Sequence, residues 1–334
     1  MSKLSLTRYL YFLEEVKVSL VNSLLKRKSL KECYFWFSEI YYSGFEKLSI
    51  QLLFKIYYDF YCIDNLKFLK KIIVNVKRSM KNNDVNPLFD IVNLLFSLKS
   101  NPYVFILRTV PNTARKNVND IKKLLSSHLK KNNCIKAVNY IKLLFKNNPE
   151  ECITFLEKYK GESFTYNELY QDKLHLLIVF SIKSYSIENK RQIIKNRKQN
   201  LDFVKNLNQV SVRTYKTLNE KRIFQPDKDI GCFSLGINEK KFSLCNELLY
   251  WEYYCKDTPI WKIRFDKYHA SFLDKTIKFE NDSFLEKFSD NFNYEPDEKI
   301  LLYFNVPRDN TVENWLNSIY SINFDKLYKS KISY

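Results

Sequence analysis

Apolar residues recur at three- and four-residue intervals through most of this chain, the period of helices that bury one face. In residues 6–26 the stripe is Leu6, Tyr9, Leu10, Leu13, Val16, Leu20 and Leu24. Lys26-Arg27-Lys28 closes it, since cations favour a helix C-terminus. Ser29 is placed to cap the next helix. Residues 34–62 form the densest apolar stretch, with twelve of 29 positions Phe, Tyr or Trp. The spacing predicts two helices there. Leu30, Cys33, Tyr34, Phe37, Ile40 and Tyr41 fall on the first, and Phe45, Leu48, Leu52, Ile56 and Phe60 on the second. Ser43-Gly44 joins them, where glycine supplies a left-handed C-terminal residue. So much aromatic area makes this hairpin the expected nucleus of the core.

The same period continues. A helix over 66–80 carries Lys67, Lys70, Lys71, Lys77 and Arg78 on its outer side. Asn82-Asn83-Asp84 breaks it, and Pro87 suits the first turn of a helix over 88–98. Pro102 and Pro111 bracket a short apolar segment, 103–110. Helices over 113–131, 134–146 and 149–160 follow, separated by Asn-rich turns, which favours antiparallel neighbours. After a loop at 161–165, a strongly apolar helix is expected over 167–184. Residues 187–207 and 211–224 are basic and less apolar.

Beyond Pro226 the pattern changes. An aromatic knot at 248–261 is expected to end its helix at Pro259. A strand fits 299–306 and a turn 307–310. Thr311 can cap a final helix through Val312, Trp315, Leu316 and Ile319, and Glu295-Pro296-Asp297-Glu298 reads as a solvated loop. The predicted fold class is mainly α: an antiparallel helical bundle or array with a smaller C-terminal α(+β) part. No fixed-period repeat is visible.

Composition narrows the chemistry. Four glycines in 334 residues argue against phosphate loops and Rossmann folds, which need glycine for tight turns and close backbone approach. Heavy use of Lys, Asn, Ile, Tyr and Phe is what AT-rich codons favour, and it dilutes any reading of total charge. The distribution of charge is more telling. Residues 1–227 hold 40 Lys and Arg against 20 Asp and Glu, whereas residues 228–334 hold 15 against 17. The division expected is therefore a basic helical array over 1–227 and a near-neutral part over 228–334.

The seven cysteines, at 33, 62, 134, 152, 232, 245 and 255, form no C-x-x-C pair. Cys33, Cys62, Cys134 and Cys152 fall beside apolar positions and read as buried thiols in a reducing compartment. Cys232, Cys245 and Cys255 can approach one another, but the three histidines offer no evident fourth ligand, so no metal and no cofactor is expected. Met1-Ser2-Lys3 runs straight into an amphipathic helix containing Glu14 and Glu15. No signal peptide is therefore expected, and no apolar run reaches membrane-span length. A soluble intracellular protein is expected.

Catalytic patterns are sparse. His128 sits near an exposed helix end, His175 in an apolar run and His269 in KYHASF, and each reads as structural. H-E-x-x-H and G-x-S-x-G are absent. Gly231 and Gly236 are followed by no Lys-Ser/Thr, and no histidine begins the H-x-x-R of a tyrosine recombinase. Glu14-Glu15 and Glu150-Glu151 suit helix starts and exposed faces. The best functional candidate is the basic segment holding Lys190, Arg191, Lys195, Arg197, Lys198, Arg213, Lys216, Lys221 and Arg222. Such cations neutralise phosphates, and Tyr185, Phe203, Tyr215 and Phe224 lie where they can stack on bases. A solvated helix face in a lysine-rich proteome would give the same composition, and an acidic protein is a third option.

Several segments are similar to uncharacterised proteins of large nucleocytoplasmic DNA viruses. They are Thr7-Arg8-Tyr9-Leu10-Tyr11, Glu32-Cys33-Tyr34-Phe35-Trp36, Glu39-Ile40-Tyr41-Tyr42-Ser43-Gly44 and Lys55-Ile56-Tyr57-Tyr58-Asp59-Phe60-Tyr61. Further on come Leu107-Arg108-Thr109-Val110-Pro111, Tyr215-Lys216-Thr217-Leu218, Ile230-Gly231-Cys232-Phe233 and Thr258-Pro259-Ile260-Trp261. The resemblance covers most of the chain. It implies a giant-virus origin and a setting in the host cytoplasm, at the viral factory, or in the virion. It brings no catalytic residues. The expectation is a non-enzymatic binding or scaffold protein that contacts DNA or RNA, or acidic protein surfaces, with viral proteins as further partners. The alternative is a virion or capsid-associated structural protein that binds only protein.

Overall fold

The computed structural model describes residues 6–11, 13–27, 29–109, 121–182, 207, 250–292 and 312–324. They are mainly helical, with one two-stranded antiparallel sheet. The expected strand over 299–306, the loop over 295–298 and the cap Thr311 lie outside them. Two compact units form, neither continuous in sequence. Unit 1 takes the described residues of Met1–Leu52, Asn83–Phe96 and Asn196–Trp315. Unit 2 takes those of Leu53–Asn82, Ser97–Lys195 and Leu316–Tyr334.

Unit 1 begins with a correction. Helix α1 spans Leu13–Lys26, so the helix expected from residue 6 starts seven residues late. Leu6 and Leu10 are buried as the pattern required, but in a tight loop. Thr7 donates its N–H to the Tyr11 carbonyl at 2.8 Å, Leu10 has φ +63°, and the Leu6 N–H donates to the Tyr254 carbonyl at 3.0 Å. The loop exists because Arg8 turns inward. Its Nε donates to Glu39 Oε2 at 2.9 Å, with both side chains buried. The Tyr9 N–H takes the other Glu39 oxygen at 2.8 Å, and Ser43 Oγ accepts from the Arg8 N–H at 2.9 Å. Trp261 Nε1 donates to the Arg8 carbonyl at 2.9 Å.

Helix α2, Leu30–Tyr41, packs on α1 and starts at the expected cap, where Ser29 accepts from the Glu32 N–H. Tyr34 and Phe37 meet Phe89 edge-on at 5.2 and 5.3 Å. Gly44 takes the expected left-handed conformation, φ +89°, before α3, Glu46–Phe60. A Cβ there would also lie 3.3 Å from the Pro259 ring, so space as well as backbone calls for glycine.

Later in unit 1, α12 (Trp251–Cys255) is followed by α13 (Pro259–Lys267). Pro259 therefore opens a helix where the sequence reading had it end one. The first turn needs no N–H from that residue, and proline's fixed φ suits it. A hairpin of β1 (Ala270–Leu273) and β2 (Thr276–Phe279) pairs Ala270 with Phe279 and Leu273 with Thr276. With α14, Asp282–Phe292, it surrounds the Phe288 ring, which lies 5.1 to 5.7 Å from those of Phe279, Phe292, Phe265 and Tyr268. A later helix, Val312–Asn317, buries Trp315, whose Nε1 donates to Asn22 at 3.1 Å.

Unit 2 takes the second half of α3. Then come α4 (Cys62–Asn65), a 3-10 turn (Leu66–Phe68) and α5 (Leu69–Asn82). Helix α6 (Asn86–Ser97) belongs to unit 1 save for its last residue. Unit 2 resumes with α7 (Tyr103–Thr109), α8 (Ile121–Lys130), α9 (Cys134–Asn147), α10 (Pro149–Lys160) and α11 (Lys173–Ser181). Helices α8, α9, α10 and α11 pack each on the next, and α7 packs on α9 and α11. The turns follow capping chemistry. Asn133 and Asn148 accept from the N–H groups of Lys136 and Glu151, and Gly161 ends α10 at φ +70°. Helix α11 starts later than expected because Asp172 caps it, accepting from the His175 N–H at 2.9 Å.

Candidate nucleic-acid interface

Lys190, Arg191, Lys195, Arg197, Lys198, Arg213, Lys216, Lys221 and Arg222 all lie outside the described residues, as do Tyr185, Phe203, Tyr215 and Phe224. Within unit 2, two other charged regions stand out.

The first is on α8. Lys122-Lys123, Ser126-Ser127 and Lys130-Lys131 are polar pairs repeated every four residues. At 3.6 residues per turn such pairs stack on one face. The intervening Leu125 is buried and seats the helix on α9. The six polar residues and Phe155 of α10 line an open groove of about 470 Å³. All four lysines are exposed, the serines and Phe155 half-buried. Lys122 pairs with Glu151 on the neighbouring α10. Among the described residues no carboxylate lies within ion-pair distance of Lys130 or Lys131. Helix α8 contains no acidic residue.

His128 faces the other way and stacks on Tyr140 at 5.5 Å, half-buried rather than at an exposed helix end. Burial, with the charges of Lys136 and Lys131, holds it below the usual histidine range, so it adds no charge at neutral pH. The groove can therefore attract anions through its lysines, donate from its hydroxyls and offer one aromatic edge. The two lysine pairs are eight residues apart, about 12 Å along the axis, with the serines between them. That suits a run of phosphates better than a single small anion.

The second region is inside. Asp59 on α3 is wholly buried, and Arg108 on α7 grips it with two hydrogen bonds of 2.8 Å. His175 Nε2 lies 3.1 Å from Asp59 Oδ1, within ion-pair range but off the line of a hydrogen bond. Its Nδ1 shares a 2.8 Å hydrogen bond with the Tyr170 hydroxyl. The Tyr58 ring lies 5.2 Å from that of Tyr170, tilted by 33°, and its hydroxyl accepts from Asn167 at 3.0 Å. Burial by itself would raise the Asp59 carboxyl, but Arg108 and His175 overcome it and hold the group well below the usual carboxylate range. The Tyr170 hydroxyl is pushed far up by burial and by the charges of Asp59 and Asp172, with Arg108 only partly opposing. Lys142 donates to the Leu107 carbonyl at 3.3 Å, and burial plus Arg108 lowers it to about 8.

A carboxylate, a histidine and a tyrosine in line resemble a proton relay, but this one is enclosed. Asp59 and His175 are fully enclosed, Tyr170 is 5% exposed, and the tyrosine holds its proton. The arrangement ties α3, α7 and α11 together.

Among the described residues no group of three His, Cys, Asp or Glu is placed to hold a metal ion. Cys33, Cys62, Cys134, Cys152 and Cys255 are buried free thiols, and Cys232 and Cys245 lie outside the described residues. Among the described residues no helix is long and apolar enough to cross a membrane. His269 pairs with Glu280 at 3.2 Å across the exposed base of the hairpin.

The α8 groove was missed in the sequence because its lysines were read as part of one helix among many. The signal was present as K-K-x-x-S-S-x-x-K-K without a carboxylate. No family model, curated protein or solved structure matches the chain.

Proposed function

We propose that this chain is a non-enzymatic binding or scaffold protein of a large DNA virus that holds DNA or RNA through a lysine-rich surface, in the host cytoplasm or the virion. The α8 groove carries the nucleic-acid part of this reading. Its cations converge with hydroxyl donors and an aromatic edge on one face, as a backbone-tracking, sequence-tolerant site requires. The basic residues from Lys190 to Arg222 are proposed to contact nucleic acid as well. The non-enzymatic part is supported by the enclosure of the Asp59 group. The viral setting rests on the resemblance of the segments around Arg8, Glu39, Asp59, Arg108 and Trp261.

The test is fluorescence anisotropy of the full chain with labelled single- and double-stranded DNA and RNA. Micromolar or tighter binding near 50 mM salt, indifferent to sequence, is expected. No binding to any of the four at low salt overturns the reading and leaves the protein-binding virion component in its place. Phe155→Ala separates two modes: loss confined to single strands indicates base stacking, and equal loss on duplexes indicates a backbone site.

A further inference from the structure

Helix α5 presents a different surface from the α8 groove. Its inner side is Ile72, Val76 and Ser79. The outer side, with the turn before it, carries Lys67, Lys70, Lys71, Lys77, Arg78 and Lys81, and α5 itself contains no carboxylate. None of these six cations has an ion-pair partner among the described residues. They share the face with exposed apolar side chains. Leu66 is 62% exposed, Val74 54% and Met80 60%, three of the seven large hydrophobics that stand out on the described surface. Half-buried Ile73 and exposed Met80, seven residues apart on α5, line one edge of the cation stripe, and Leu66 stands exposed in the 3-10 turn at the start of the helix, seven residues before Ile73. Seven-residue spacing keeps a seam facing a single straight or gently coiled partner.

We propose that this face docks an acidic amphipathic helix of a partner protein, with the partner's apolar stripe on the Leu66–Ile73–Met80 seam and its carboxylates over Lys70, Lys77 and Lys81. The stripe demands negative charge, and the seam demands apolar area beside it. Nucleic acid answers the first and offers little for the second. A bilayer supplies both, but a helix lying on a membrane puts its apolar residues at the centre of the outward face with cations on the shoulders. On α5 the centre of the outward face is mostly cationic, with Val74 as a lone apolar side chain among Lys67, Lys70 and Lys81, and the longer apolar seam runs along one edge. This reading is independent of the nucleic-acid groove.

The probe is a labelled three-heptad peptide with Leu at a and d and Glu at e and g, titrated against the full chain. Three comparison ligands are its Leu-to-Ser version, a 20-bp duplex, and vesicles containing 30% phosphatidylserine. The acidic peptide is expected to bind and the serine version to fall by about tenfold or more, as buried apolar anchors carry most of such interfaces. Lys70→Glu with Lys77→Glu should weaken binding to a similar degree, as should Leu66→Ser with Met80→Ser. All four positions are exposed, and circular dichroism confirms that the variants fold. Lys130→Ala with Lys131→Ala should leave peptide binding unchanged. Equal binding of the two peptides, or no binding of either, overturns the proposal. So does tighter binding to duplex or vesicle that depends on these α5 residues.

Discussion

Two charged regions of unit 2 differ in how their charge is met. Around Asp59 each charge has an opposite charge beside it: both carboxylate oxygens are taken by Arg108, and His175 flanks one of them. Along α8 the cations are exposed: Lys122 meets Glu151, but among the described residues Lys130 and Lys131 have no acid within ion-pair distance. Charge inside a protein must be paired at once, because desolvation costs several kcal/mol per ion. Charge on a surface can wait for a ligand. A buried, saturated cluster therefore marks architecture, and a convergent exposed one whose cations outnumber their acids marks binding.

The contrast is broken or sharpened by removing charge from each region. Asp59→Ala takes the buried carboxylate from between Arg108 and His175 and should cost about 3–5 kcal/mol, measured as a fall in the urea midpoint. Any molecules still folded should bind nucleic acid as before; a folded Asp59 variant that no longer binds would undo the distinction. Acid should act on the same group. The folded carboxyl sits below its unfolded value of about 3.9, so its stabilisation is complete above that pH and drains as pH falls beneath it. Lowering pH from 7 to 3 should therefore destabilise the wild type more than Asp59→Asn, read from urea midpoints at each pH.

On the surface the pattern reverses. Lys130→Glu with Lys131→Glu should weaken nucleic-acid affinity by tenfold or more, at least about 1.4 kcal/mol, and leave the melting temperature within a degree or two. Lys142 lies between the two extremes, half-buried beside Arg108. It titrates near 8 when folded and near 10.4 unfolded. In that window the unfolded chain binds more protons, so stability should rise with pH. Lys142→Met should flatten this rise, read from urea midpoints between about pH 8 and 10.

Much of the helical order was legible in the sequence because periodicity and capping are local. Ser29, Gly44, Asn148-Pro149 and Gly161 do what their types favour. The errors came where tertiary contacts override local pattern. Residues 6–11 have helical spacing, yet Arg8 draws them into a loop to reach Glu39, 31 positions away. Pro259 is an ambiguous signal, since proline suits the start of a helix as well as the residue after one. The β1–β2 hairpin was passed over because Asp274-Lys275 lacks the glycine that usually marks such turns, although Asp274 takes φ +55° itself. The Asp59–Arg108 pair spans 49 residues, and nothing local in either helix announces the other. Segments far apart in the sequence nonetheless meet at these points. Thr7–Tyr11 touches Glu39–Gly44 and Trp261 around Arg8, and the segments holding Asp59 and Arg108 join through their side chains.

The most direct test of the central claim is the slope of log affinity against log salt for duplex DNA, compared between the wild-type chain and Lys130→Ala with Lys131→Ala. If the α8 groove holds phosphates, the variant's slope should be shallower by about 2, close to one unit per lost contact. An unchanged slope, with binding intact, would place the nucleic acid elsewhere on the chain and contradict the groove as its site.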